Sequence, residues 1–122
     1  MTINRTTILV VDDEPLIRDV IVDVLQDEGY GVVTADDGHA ALELVRQEGP
    51  ALVLMDVMMP RMDGRTAFRA MREHAHGDGL PVILMSAMAE PADLDPGITA
   101  FLRKPLDLDQ LLAVVSRLLT SR

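Results

Sequence analysis

Short apolar runs alternate with amphipathic stretches along the whole chain. Thr7-Ile8-Leu9-Val10-Val11 is unbroken and rich in β-branched residues, the mark of a strand buried on both faces. Pro15 follows Asp12, Asp13 and Glu14; proline suits the first turn of a helix, and acids suit the positive end of its dipole. Leu16, Ile17, Val20, Ile21, Val24 and Leu25 then recur at helical spacing, with Gly29 as the stop. The unit repeats. Gly31 to Ala35 predicts a second strand, Gly38 to Glu48 a helix with Ala41, Leu42 and Val45 inward, and Ala51 to Met55 a third strand. A loop with Pro60 and Gly64 leads into a helix over Arg65 to His74. Pro81 to Met85 predicts a fourth strand and Thr99 to Leu102 a shorter fifth. Leu108 to Leu119 closes the chain as a helix with Leu111, Leu112, Val115 and Leu118 buried.

Strands alternating with helices predict an α/β fold, a five-stranded parallel sheet covered on both faces. The stretch Ala87 to Ile98 breaks the rhythm. Pro91, Pro96 and Gly97 leave room for one or two helical turns, so the fourth crossover helix is expected to be shortened or irregular.

Composition narrows the functional classes. At 122 residues and 48% apolar content the chain is expected to be one domain, residues 6–120, with short tails at 1–5 and 121–122. The absence of cysteine excludes a disulfide framework, a thiolate zinc site and a Cys nucleophile. Twenty acidic residues against 11 basic ones give a net charge of −9, which argues against direct binding of nucleic acid or an anionic membrane. The N-terminus is polar, and no apolar stretch approaches the roughly 18 residues that span a bilayer; a cytoplasmic domain is expected. The 11 basic residues are ten arginines and a single lysine, Lys104.

In an open parallel sheet, ligands bind at the carboxyl ends of the strands. The predicted strands end in Asp12-Asp13-Glu14, Asp56, Ser86 and, just past the fifth, Lys104-Pro105. Asp36-Asp37 follow an edge strand and precede a helix, which suits an N-cap. Taken singly, the other residues also read as caps, turns or surface positions. Jointly they place three carboxylates, a hydroxyl and the lone ammonium at one sheet edge. Clustered carboxylates repel unless a cation sits among them, and oxygen ligands favour Mg2+ or Mn2+. Lysine and serine can then hold a phosphoryl group, and a central aspartate can attack phosphorus to give an acyl phosphate. Phosphoryl transfer to Asp56 is the economical reading.

The chain resembles the receiver domains of two-component response regulators. The resemblance rests on Ile8 to Pro15 (ILVVDDEP), Leu54 to Pro60 (LMDVMMP), Met62-Asp63-Gly64, Pro81 to Ala87 (PVILMSA) and Lys104-Pro105, in order, over roughly Thr6 to Leu119. It implies a flavodoxin-like, doubly wound sheet of strand order 2-1-3-4-5. It also implies that Asp56 is the phosphoacceptor, Asp13 a direct Mg2+ ligand and Asp12 the acid that helps hold the ion. Met58 would lend its backbone carbonyl to the metal. Ser86 matches the hydroxyl that moves toward the phosphoryl group, Phe101 the aromatic switch position, and Lys104 the lysine that pairs with phosphate, with a cis bond to the following proline. The implied partners are a histidine kinase or histidine phosphotransfer protein and a downstream protein or fused output domain.

Three departures from the family pattern matter. Eighteen residues separate Ser86 from Lys104, about one helical turn fewer than the pattern, with the shortfall in the Pro91 to Gly97 stretch. The face built there is the family's usual output surface, and a phosphorylation-linked homodimer would use it. The switch aromatic is Phe101 rather than tyrosine. Met58 and Met88 stand two residues beyond Asp56 and Ser86, where thioethers would shield a phosphoryl group from water and prolong its lifetime.

Three competing classes are weaker. A Mg2+-dependent phosphohydrolase of the haloacid dehalogenase type wants an acid where Met58 stands. A binding module not controlled by phosphate has no use for the acidic cluster and Lys104. A flavin carrier needs a hydroxyl- and glycine-rich phosphate loop. Elsewhere His39, His74 and His76 lack metal-ligand spacing, Met55, Met71 and Met85 read as core, and Arg61, Arg65, Arg69 and Arg72 as a solvated face.

Overall fold

The computed structural model describes residues 6–58, 64–72, 79–88 and 98–120. Its elements run β1 (Thr7–Val11), α1 (Pro15–Asp27), β2 (Gly31–Ala35), α2 (Gly38–Glu48), β3 (Leu52–Asp56), α3 (Gly64–Arg72), β4 (Val82–Ser86), β5 (Ala100–Arg103) and α4 (Leu108–Thr120). All pairings are parallel, and the sheet order is β2-β1-β3-β4-β5. This is the flavodoxin-like order expected.

Side chains alternate across each strand, and the sheet sorts them into two cores. Ile8, Val10, Leu52, Leu54, Ile83 and Met85 pack under Ile21 and Leu25 of α1 and Leu111 and Val115 of α4. Leu9, Val11, Val53, Met55, Val82 and Leu84 pack under Ala41 and Val45 of α2 and Ala67, Phe68 and Met71 of α3. Strands that bury both neighbours of every residue need an unbroken apolar run, which is why the runs were so plain.

The helix ends follow local chemistry. Asp37 caps α2, its Oδ1 accepting from the Ala40 N–H at 2.8 Å, as its position predicted. Gly29, at φ 93°, turns the chain out of α1 into β2, its N–H bonded to the Gln26 carbonyl at 2.9 Å.

Two expectations need adjusting. Strands β3, β4 and β5 each run one residue past their apolar stretch, ending on Asp56, Ser86 and Arg103. The ladder does not stop where hydropathy does: Val57 N–H still reaches the Met85 carbonyl at 2.9 Å, and Lys104 N–H the Ser86 carbonyl at 2.8 Å. On α1 the apolar stripe is wider than the buried face. Leu16 and Val20 remain 78% and 49% exposed, because only Ile21 and Leu25 reach the sheet side fully. The stretch 89–97, where the irregular crossover was expected, lies outside the described residues, as do Arg61, His74 and His76. Among the described residues, no helix is long and apolar enough to cross a membrane.

Candidate functional site

The chain order reverses between β1 and β3, its neighbours in the sheet leading off in opposite directions. Loops diverge there and open a crevice at the carboxyl ends of these two strands. The site is built from what the strands deliver to that crevice.

Asp12 follows β1. Its N–H bonds to the Ala35 carbonyl at 3.1 Å, carrying the ladder one residue further. The side chain is fully buried. Its Oδ1 accepts from the Glu14 N–H at 2.9 Å and its Oδ2 from Lys104 Nζ at 2.9 Å. Asp13, next in the chain, is exposed. Asp56 ends β3, in register with Met85 and 7% exposed. Its Oδ1 accepts from the Met58 N–H at 3.1 Å and its Oδ2 from Lys104 Nζ at 2.8 Å. Lys104 thus bridges two buried carboxylates, with its own backbone pinned to Ser86 on the neighbouring strand. The Lys104–Pro105 bond is cis.

Carboxylate oxygens of Asp12, Asp13 and Asp56 all lie within 4.8 Å of one another. One ammonium among three acids leaves the pocket with more negative charge than positive. Burial pushes the Asp56 carboxyl above the usual range, outweighing the hydrogen bonds from Lys104 and Met58, and the charge of Asp12 adds to the rise. For Lys104 burial acts against the charge, but the bonds to Asp56 and Asp12 outweigh it and hold the ammonium above its ordinary value. A crowded set of hard oxygens with unbalanced charge fits a divalent cation of the Mg2+ or Mn2+ kind.

Ser86 is buried at the end of β4, one residue beyond the register partner of Asp56. Its Oγ accepts from the Met88 N–H at 3.0 Å. Met58 and Met88 are 62% and 65% exposed, so neither is core filler, whereas Met55, Met71 and Met85 are buried as expected. Phe101 lies outside the pocket, half-buried on the edge strand β5 in register with Leu84 and packed on the α2–α3 side.

The acids before α1 do not cap it. Glu14 is the N-cap residue and makes no side-chain cap; Asp12 spends both carboxylate oxygens on Glu14 N–H and Lys104. One residue of the site has no counterpart among the sequence candidates. Arg18 Nη1 donates to the Asp12 carbonyl at 2.9 Å. The only hint of it in the sequence is a cation close to the start of a helix, where the dipole disfavours it.

The family model of the response regulator receiver domain matches residues 8–116. Response regulator MprA of Mycolicibacterium vanbaalenii is 40% identical over 116 residues, covering 92% of this chain and 49% of that protein. The chain therefore spans about half the length of this relative. Chemotaxis response regulator CheY4 of Vibrio cholerae superposes with a TM-score of 0.87 at 30% identity, covering 94% of this chain and 99% of that one. The receiver domain of sensor histidine kinase PA1611 from Pseudomonas aeruginosa, solved with a magnesium ion coordinated in its active-site cleft, gives 0.86 at 30% identity over 93% and 97%. The chain belongs to the response regulator receiver domain family of two-component systems.

Proposed function

We propose that this domain is a phosphorylation-controlled switch that accepts a phosphoryl group on Asp56 from a phosphohistidine of a sensor kinase or phosphotransfer protein. The observation that carries the reading is the setting of Asp56, joined at 2.8 Å to the chain's one lysine and clustered with Asp12 and Asp13. In the transfer an Asp56 carboxylate oxygen forms a bond to phosphorus as the phosphorus–nitrogen bond of the donor breaks, and the imidazole departs with that electron pair. Lys104 shifts its hydrogen bonds from Asp56 to a phosphoryl oxygen and balances the charge that builds there. Asp12, Asp13, Asp56 and the Met58 carbonyl would hold Mg2+, which when bound neutralises phosphoryl oxygens. The Ser86 hydroxyl then bonds the new phosphoryl group, drawing the loop after β4 inward and letting Phe101 repack. The readout is a shifted balance between two conformations at a protein-binding surface, read by a separate protein or by another part of a longer regulator.

An apolar groove beside the pocket supports a helical donor. It is lined by Leu16, Val20, Pro105, Leu106 and Leu108, with Lys104 at its edge, and the exposure of Leu16 and Val20 leaves it open to an amphipathic partner.

The test is incubation with acetyl phosphate and Mg2+ followed by intact-mass measurement. A gain of one phosphoryl group per chain, lost when EDTA is added first, is expected. No gain would point to a binding module, and continuous phosphate release to a hydrolase.

The exposed methionines bear on lifetime. A thioether is only a weak hydrogen-bond acceptor and orients an attacking water poorly, so the phosphorylated form should outlast a minutes timescale. Replacing Met58 with Asn and Met88 with Glu should speed phosphoryl loss by about tenfold or more, since a positioned polar group assists water attack. Loss from the unmodified protein within minutes would contradict the shielding role.

A further inference from the structure

Every polar atom of Asp12 is engaged. Its N–H is bonded to Ala35, its Oδ1 to the Glu14 N–H, its Oδ2 to Lys104 and its carbonyl to Arg18. The first three ties hold the Asp12 side chain and the strand behind it. The fourth does something different. The Asp12 carbonyl belongs to the peptide unit that joins Asp12 to Asp13, and that unit is planar. Fixing its oxygen sets the direction in which the chain leaves for Asp13, the exposed member of the acidic trio.

Arg18 also sits where helix physics does not want it. It is the fourth residue of α1, close to the positive end of the dipole, where a cation is disfavoured. Helix α1 has no acid in its first turn and no side-chain cap; the acids at this end, Glu14 at the N-cap and Asp12 and Asp13 before it, lie in the preceding loop. Arg18 is half-buried, and its guanidinium is turned back onto the loop before the helix, Nη1 donating to the Asp12 carbonyl at 2.9 Å.

We propose that Arg18 is a positioning residue that presets Asp13 for the divalent cation by holding the Asp12–Asp13 peptide. The inference rests on reading Asp12, Asp13 and Asp56 as the Mg2+ site. Positioning and charge pull in opposite directions, which makes the idea testable. Removing a cation from beside an acidic pocket should by charge alone tighten Mg2+ binding. Removing a positioning bond should weaken it, as partners behind a metal ligand commonly contribute ten- to a hundredfold in affinity.

The experiment is calorimetric titration of the whole chain with Mg2+ alone, for the unmodified protein, Arg18→Met and Arg18→Lys. Each is measured at about 0.1 M and about 1 M KCl, where screening removes most of the long-range charge effect. Urea unfolding of the metal-free proteins runs alongside. The expected result is Mg2+ binding about tenfold or more weaker in Arg18→Met at both salt concentrations, with Arg18→Lys within about threefold of the unmodified protein because its ammonium can still donate to the carbonyl. Unchanged or tighter binding in Arg18→Met would overturn the inference. So would a loss of metal-free stability with Mg2+ affinity unaltered, which is what a helix staple alone would produce. Failure of the unmodified protein to bind Mg2+ would overturn the metal reading itself, and the inference with it.

Discussion

Asp56→Asn is expected to gain no phosphoryl group from acetyl phosphate and Mg2+ under conditions that fully load the unmodified protein. The amide has nearly the same shape, but its oxygen is a poor nucleophile, and the negative charge that Asp56 adds beside Asp12 and Asp13 and sets against Lys104 is gone. Intact mass decides the point; a full phosphoryl gain in the variant would move the acceptor elsewhere. The same variant carries a second expectation, for stability without metal. Burial raises the folded pKa of Asp56 above its unfolded value. A group shifted this way contributes stability below the unfolded pKa and loses it as pH rises through the folded pKa. At neutral pH the ionised carboxylate therefore works against folding, and Asp56→Asn should be more stable than the unmodified protein. The advantage should shrink as pH falls through the raised folded pKa towards the ordinary aspartate value, and level off below it, measured by urea unfolding at several pH values.

Lys104→Ala should be the most damaging single change at the site. Lys104 is held at 2.9 Å from Asp12 and 2.8 Å from Asp56, with the three side chains 11%, 0% and 9% exposed. Removing the ammonium leaves two buried carboxylates facing each other without a cation. Breaking a buried pair in this way costs about 3–5 kcal/mol. Millimolar Mg2+ should recover part of that loss in the variant, because the metal supplies the missing positive charge. Phosphoryl uptake should also fall by about a hundredfold or more, the usual consequence of removing one preorganised group that stabilises developing charge. The decisive pattern is stability restored by Mg2+ with uptake still slow. Recovery of both would mean that Lys104 serves only to neutralise the pocket. Lys104→Arg is not a conservative rescue, since a planar guanidinium cannot occupy the space of a compact ammonium between two side chains.

The parts of this molecule that were legible in its sequence share a physical cause. Stretches such as Ile8–Val11 and Leu52–Met55 are buried on both faces, so they had to be unbroken apolar runs; parallel pairing followed from their alternation with helices, and the strand order from the family resemblance. Asp12, Asp13, Asp56, Ser86 and Lys104 were legible as a group because strand ends in this fold converge on one edge. What hydropathy does not report was read less well. The last residue of β3, β4 and β5 is polar yet still in the ladder, since backbone pairing is indifferent to side-chain type. Leu16 and Val20 share the helical period of the core residues of α1 but stay exposed, lining the groove with Pro105 and Leu106. Lys104 was expected to pair with a phosphoryl group on Asp56; its equal bond to Asp12 depends on how far β1 and β5 deliver their ends into the crevice. Arg18 was missed because it acts on a backbone carbonyl, and no pattern of side-chain types records such a contact.

Trapping the phosphorylated residue tests the central claim most directly. Borohydride reduces an aspartyl phosphate to homoserine, leaving a stable mark at the acceptor position. After loading with acetyl phosphate and Mg2+, reduction and peptide sequencing by mass spectrometry should find homoserine at position 56. Homoserine at position 12 or 13, phosphate on Ser86, or no modification under these conditions would contradict it.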